Sequence, residues 1–226
     1  MLPLWSAEPS RRVPIATTIL VVLNFAVFAY EALLASESYR ALQSFIMGNA
    51  LSAQRLIAHT DDPRAWLTIL TSMFLHGSVM HVVGNCWFLW VFGKNIEDRL
   101  GSMRFVVFYL LCGVAAAALQ VAVFPGASVP MIGASGAISG VLGAYFILLP
   151  FSWIFTLVPW FVPIVPVPAA FFLIVWFAVQ AMSGAGSLLG NEAVEGGVAW
   201  WAHVGGFIGG IALILLARKA HWLRRR

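Results

Sequence analysis

The sequence predicts an all-α membrane protein, a bundle of six transmembrane helices in which one short central helix carries a serine. Three observations lead there. Of the 226 residues, 61% are hydrophobic and 10% charged, whereas water-soluble domains carry about 25% charged residues. Apolar runs near membrane-span length recur from end to end, and no stretch is polar or long enough for a soluble unit. Residues 1–226 therefore read as a single polytopic domain. Charge then decides the number of crossings. With six spans, Arg11, Arg12, Lys94, Arg99, Arg104, Arg218, Lys219, Arg224, Arg225 and Arg226 share one side. Asp61, Asp62, Glu192 and Glu195 fall on the other, with Arg40, Arg55 and Arg64. A seventh span would throw the basic tail to the acidic side, against the positive-inside tendency.

The six-helix core is expected at about 14–217, between short cytoplasmic tails at 1–13 and 218–226. The first span runs from Pro14 to about Leu34, its proline suited to a first helical turn. Ser36 to Arg64 is a long connection with scattered charges and apolar pairs such as Leu56–Ile57, as in functional or interfacial loops. Trp66 to Leu75 is apolar but short. The second span is about Val79 to Phe92, and a tight polar turn with Lys94, Glu97, Asp98, Arg99 and Arg104 follows. Phe105 to Phe124 is the third. The uncharged loop Pro125 to Pro130 leads to the fourth, Ala134 to Leu149, which Pro150 stops. Residues 151–168 are apolar but cut by Pro159, Pro163, Pro166 and Pro168, and with six spans they read as a membrane-hugging loop. The fifth span is then about Ala169 to Met182 and the sixth Val198 to Ala217.

A helix from Ala134 to Leu149 rises about 24 Å, against a hydrocarbon core of ~30 Å. If its far end reaches the cytoplasmic interface, Ser135 begins below the outer one. Irregular backbone at that depth is tolerable only where it is buried in protein or lines a water-filled cavity. His81 and Asn85, four apart, share a face at the external end of the second span. His203 lies about a turn inside the external end of the sixth, and His76 just precedes the second. Intramembrane histidines and asparagines are costly enough to be functional candidates. A serine hydroxyl needs an adjacent base to become a nucleophile, and a neutral His203 is such a base. His81, Asn85 and the backbone N–H groups at the start of the Ser135 helix are donors for an oxyanion. Together these spell acyl transfer to water. Gly136, Gly140 and Gly143 or Ala144 on the fourth span and Gly206 and Gly210 on the sixth are spaced for the close approach a direct Ser135–His203 contact requires.

Gly133-Ala-Ser135-Gly, His76-x4-His81-x3-Asn85, Gly93-x3-Glu97 and Ala202-His203-x2-Gly206-x3-Gly210 resemble the signature of the rhomboid family of intramembrane serine proteases. The resemblance covers the six-helix core. It implies a Ser–His dyad, with Ser135 as nucleophile and His203 as general base, that cleaves transmembrane segments of other proteins. It further implies that His81, Asn85 and the Ser135 amide hold the oxyanion and that His76, Gly133, Gly136 and Gly206 support them. Gly93, Glu97 and Arg99 belong to a structural turn, and the long first loop to a membrane-embedded structural element. Ser139 stands where some members carry an aromatic that stacks on the base, which leaves Trp200, one turn before His203, to orient it. Phe171, Phe172, Trp176 and Phe177 face lipid or neighbouring helices, and part of this face, opposite Phe88, is expected to form a side entrance for substrate. The alternative is a catalytically inactive rhomboid-like protein that binds membrane clients.

Taken singly the motifs are weak. A small-residue string suits a helix contact, a lone histidine an interhelical hydrogen bond, and His81 with Asn85 a structural pair or half a metal site. No acidic or cysteine residue lies at matching depth, so no metal and no cofactor are expected. A channel or transporter would want paired charges or broken helices, and the spans hold almost no ionised residue beyond Glu31 at one edge. Net charge +4 comes largely from the ends, which speaks for membrane orientation and against nucleic acid as a partner. Cys86 and Cys112 lie in apolar runs as buried thiols. Met1 to Pro9 lacks a basic n-region, and no mitochondrial-type leader is visible. The expected location is thus a plasma (inner) membrane, with both termini cytoplasmic and the site opening to the external or periplasmic side. The partners are the lipid bilayer and membrane-anchored protein substrates.

Overall fold

The computed structural model describes residues 1–158, 162–190, 193–194 and 198–224. Pro159, Glu192, Glu195, Arg225 and Arg226, used above, lie outside them. The chain is mostly helical: α1 (Ile15–Glu37), α2 (Tyr39–Asn49), α3 (Ala53–Ala58), α4 (Pro63–Thr71), α5 (Val79–Phe88), α6 (Lys94–Leu100), α7 (Ser102–Val123), α8 (Ser135–Leu148), α9 (Ala169–Gly190) and α10 (Trp200–Lys219). Among the described residues, α1, α7, α9 and α10 are long and apolar enough to cross a membrane. A fifth is added if Pro63–Phe74 and Val79–Leu100, bent by 84° at their junction, count as one span. At 14 residues α8 extends only about 21 Å, so a count of six depends on accepting this short helix as a further span.

Two expected boundaries move. The polar turn after the second span is helix: a wide turn at Leu89–Gly93 joins α5 to α6, and the chain reverses only at Gly101. There φ is +84°, a backbone region that side chains other than glycine's rarely enter. The long first connection is not a loop but α2, α3 and α4: α2 packs on α1, and α4 on α7. Arg55 closes α2 by donating to the carbonyls of Met47 and Ala50, both at 2.6 Å, as a cation at a helix C-terminus does.

The fold is all-α in its membrane bundle, as expected, with one small addition: 151–168 form a hairpin, not a bare loop, and the N-terminal tail joins it. Strands β1 (Leu2–Ser6), β2 (Trp153–Val158) and β3 (Val162–Pro168) make an antiparallel sheet in the order β1-β2-β3. Prolines are accommodated because β3 is an edge, where one row of N–H groups has no ladder partner to lose. Ile154 and Thr156 are fully buried while Trp153 is half exposed, the alternation of a one-faced strand. Ser6 Oγ meets Tyr145 Oη at 2.6 Å, and Tyr145 Oη meets Ser152 Oγ at 3.0 Å. The sheet therefore closes the end of α8 remote from Ser135.

Buried Glu97 ties α6 to the start of α1. Its Oε1 accepts from the Ala16 N–H at 2.9 Å and from Ser102 Oγ at 2.6 Å. Its Oε2 accepts from the Thr17 N–H and Thr17 Oγ1 at 2.8 and 2.7 Å. Glu97→Ala leaves four donors facing nothing, and is expected to cost at least about 3 kcal/mol. Thermal unfolding in detergent checks this: the alanine variant should melt well below wild type, with Glu97→Gln between them.

Candidate active site

The core of the bundle is α8 against α7 and α10, and small residues set how close they come. A Cβ on Gly206 would overlap the Gly136 carbonyl, and one on Gly210 the Gly140 carbonyl. The α8 and α10 backbones therefore touch directly, and two short side chains at the start of each helix can meet. His203 Nε2 lies 2.8 Å from Ser135 Oγ. Gln120 of α7 steadies the first turn of α10: its Oε1 accepts the Ala202 N–H at 3.0 Å, and its Nε2 donates to the Ala193 carbonyl at 2.7 Å.

The chain before α8 is pinned from the side of the first connection. Leu51 and Met131 exchange backbone hydrogen bonds at 3.2 and 2.7 Å, and the Gly133 N–H donates to the Ser72 carbonyl at 2.8 Å. Gly133 has φ +116°. His81 Nε2 stands only 2.7 Å from where its Cβ would be, and Asn85 Nδ2 3.5 Å. Conformation and space both exclude a side chain here, which brings the backbone entering α8 against His81 and Asn85.

His81, Asn85, Gly133, Ser135 and His203 line one cavity of about 180 Å³. A second, of about 230 Å³, shares His81, Asn85, Ser135 and His203 and extends between α5 and α9 past Phe88 and Trp176. His81, Asn85, Ser135 and His203 thus line both cavities. His76 stands behind them, buried, rather than in the cavity lining. Asn85 Nδ2 donates to His76 Nε2 at 3.0 Å, His76 Nδ1 lies 3.2 Å from the Phe74 carbonyl, and the His76 N–H reaches both Glu31 carboxylate oxygens at 3.3 Å. The orientation of Asn85 therefore depends on a chain that ends on α1. Phe172 does not line the second cavity. It is buried, its ring 6.0 Å from that of Phe92.

The residue expected to orient His203 is not the one bonded to it. Trp200 stands edge-on, centroids 6.1 Å apart, whereas Gln180 Oε1 lies 2.7 Å from His203 Nδ1. Gln180 and Gln120 belong to none of the motifs described above. The signal was there, since both are polar residues inside apolar spans, the kind of position that is costly unless partnered.

The Rhomboid domain family model matches residues 63–220, well over half of the chain. Rhomboid-like protein 11, chloroplastic, of Arabidopsis thaliana is 32% identical over 158 residues, 69% of this chain and 54% of that protein. The presenilin-associated rhomboid-like protein, mitochondrial, of Mus musculus is 31% identical over 205 residues, 84% of this chain and 52% of that protein. Rhomboid protease GluP of Bacillus subtilis (strain 168) is 39% identical over 79 residues, 35% of this chain and 15% of that protein. The chain spans about half the length of the first two.

Proposed function

The chain belongs to the rhomboid family, and on that premise we propose that it is an intramembrane serine endopeptidase acting on membrane-anchored proteins. The single observation that carries this reading is the 2.8 Å contact of Ser135 Oγ with His203 Nε2 on the wall of a cavity between helices. In the proposed reaction His203 Nε2 takes the hydroxyl proton as Ser135 Oγ bonds to the scissile carbonyl carbon. The carbonyl oxygen gains negative charge, and donors from His81, Asn85 and the Ser135 N–H stabilise it. His203 then gives the proton to the leaving amine as the C–N bond breaks. Water, deprotonated by the same ring, releases the acyl group and regenerates the hydroxyl.

The scissile segment has to be locally unwound, because a regular helix keeps its carbonyls hydrogen-bonded. Spans with small or helix-destabilising residues near the external end fit best. The basic residues on α6, α7 and α10 support a cytoplasmic placement of the bundle end remote from Ser135, with Ser135 facing the other compartment. The cavity between α5 and α9 suits lateral access from lipid, gated by Trp176 and Phe88. Trp176→Ala is expected to change the cleavage rate of a transmembrane substrate several-fold and labelling by a small soluble probe much less. Equal changes in the two would place substrate access elsewhere.

A fluorophosphonate probe tests the chemistry. Covalent labelling of the wild type in proteoliposomes, lost in Ser135→Ala, together with cleavage of a model membrane-anchored substrate, is the expected result. Equal cleavage by Ser135→Ala would overturn the nucleophile, and a wild type inert to probe and substrate would favour a client-binding, inactive relative.

A further inference from the structure

We infer that Gln180 of α9 is a positioning residue for the hydrolysis proposed above, on which the inference rests: it fixes which nitrogen of His203 carries the proton. Gln180 is 6% exposed, and the two ends of its amide have different partners. Nε2 lies 3.3 Å from the Trp176 carbonyl oxygen, one turn back on the same helix. A carbonyl only accepts, so the NH2 end belongs there, and turning the amide over would set two acceptors face to face. Oε1 is thereby directed at His203 Nδ1, 2.7 Å away. An amide oxygen has lone pairs and no proton, so this contact is a hydrogen bond only when Nδ1 carries the hydrogen.

In a neutral imidazole a proton on Nδ1 leaves the lone pair on Nε2, and Nε2 is the atom that meets Ser135 Oγ. From the Trp176 carbonyl through the Gln180 amide and the His203 ring to the Ser135 hydroxyl, each link allows one direction of donation. The chain ends with Ser135 as donor, the arrangement a nucleophile needs. Trp176 and Trp200 flank the ring at centroid distances of 6.2 and 6.1 Å. They limit where the imidazole sits without choosing its tautomer. A carboxylate at position 180 would select the same tautomer but would bring an ion out of water between apolar helices, a cost the neutral amide avoids.

The test is ¹⁵N NMR of the histidine-labelled full chain in detergent micelles. The chain has five histidines, so a His203→Ala difference spectrum identifies the ring. The wild type should show a protonated Nδ1 and a bare Nε2, and Gln180→Leu a mixture of tautomers. In proteoliposomes Gln180→Leu should lower kcat by about tenfold to a hundredfold with KM within about twofold, less than the ~10⁴-fold cost of enforcing the wrong tautomer. Gln180→Glu, which keeps an oxygen opposite Nδ1, should recover most of that loss. A bare Nδ1 in the wild type, an unchanged kcat in Gln180→Leu, or equal losses in both variants without a tautomer change would each overturn the inference. If Gln180→Leu does not fold, the wild-type spectrum alone decides. A protonated Nδ1 in a chain that cleaves nothing would instead sink the hydrolase reading and leave the proton placement standing.

Discussion

Alanine in place of His203 is expected to lower peptide-bond hydrolysis by about four to six orders of magnitude, and alanine at Ser135 by as much. Nε2 is the acceptor placed on the Ser135 hydroxyl. The neighbouring hydroxyl, Ser139 Oγ, is already committed to the Ser135 carbonyl at 2.7 Å and offers no substitute base. Because attack and proton transfer are one event, the double variant should be no slower than the worse single one. Asn85→Ala removes a donor and leaves nucleophile and base in place, so its expected loss is smaller, about 10²- to 10³-fold. Initial cleavage rates of a model transmembrane substrate in proteoliposomes give all four numbers. Retention of about a tenth of the wild-type rate by His203→Ala would show that the serine proton leaves by another route. Losses that simply multiply in the double variant would show that the two side chains do not act together.

Much of this site was legible before any coordinates, and the reason is the solvent. In hydrocarbon a polar side chain without a partner is expensive, so Ser135, His203, His81 and Asn85 stood out against apolar surroundings, and motif spacing gave them a common end of the bundle. The same rule applied evenly would have raised Gln180, which faces His203, and Gln120, which holds its helix. Neither belongs to a motif string: Gln180 lies midway along α9, and Gln120 in the last turn of α7. The N-terminal strand was hidden for a different reason. Leu2–Ser6 has no hydrophobic face worth burying alone and becomes a strand only when β2 supplies the ladder, a contact some 150 residues away in sequence. Within 151–168 no apolar–polar alternation marks the strands, since the buried face of β2 carries Thr156 beside Ile154 while Trp153 on the other face is half exposed. The number of spans was the weakest expectation, since α8 is shorter than the bilayer and α4 with α5 is bent; neither follows the length rule on which counting depends.

Gly206→Ala should abolish most activity although it adds one methyl group and changes no polar atom. Its new Cβ would fall on the Gly136 carbonyl oxygen and stand 3.2 Å from Ser139 Cβ. The obstacle on α8 is backbone, which cannot swing aside as a side chain tip can, so α8 and α10 have to separate. Ser135 is adjacent to Gly136, and His203 is one turn from Gly206, so the separation opens at the 2.8 Å contact itself. A displacement of about 1 Å in a reacting pair costs on the order of 10²-fold in rate. Overpacking of this kind also costs about 1–3 kcal/mol of stability. Gly210→Ala meets the Gly140 carbonyl in the same way, with Gly140 Cα 2.5 Å from the new Cβ, but two turns from His203. It is expected to lose stability as Gly206→Ala does and less of its activity. Gly48 of α2 has nothing within 4 Å of its Cβ position, so Gly48→Ala should be neutral or stabilising by up to about 1 kcal/mol. Thermal midpoints in detergent and initial cleavage rates separate the cases. If Gly206→Ala keeps a rate near that of the wild type, the contact between α8 and α10 backbones is not what brings the serine to its base. If it loses rate and melts no lower, the helices have shifted without loosening, and the 2.8 Å contact alone accounts for the effect.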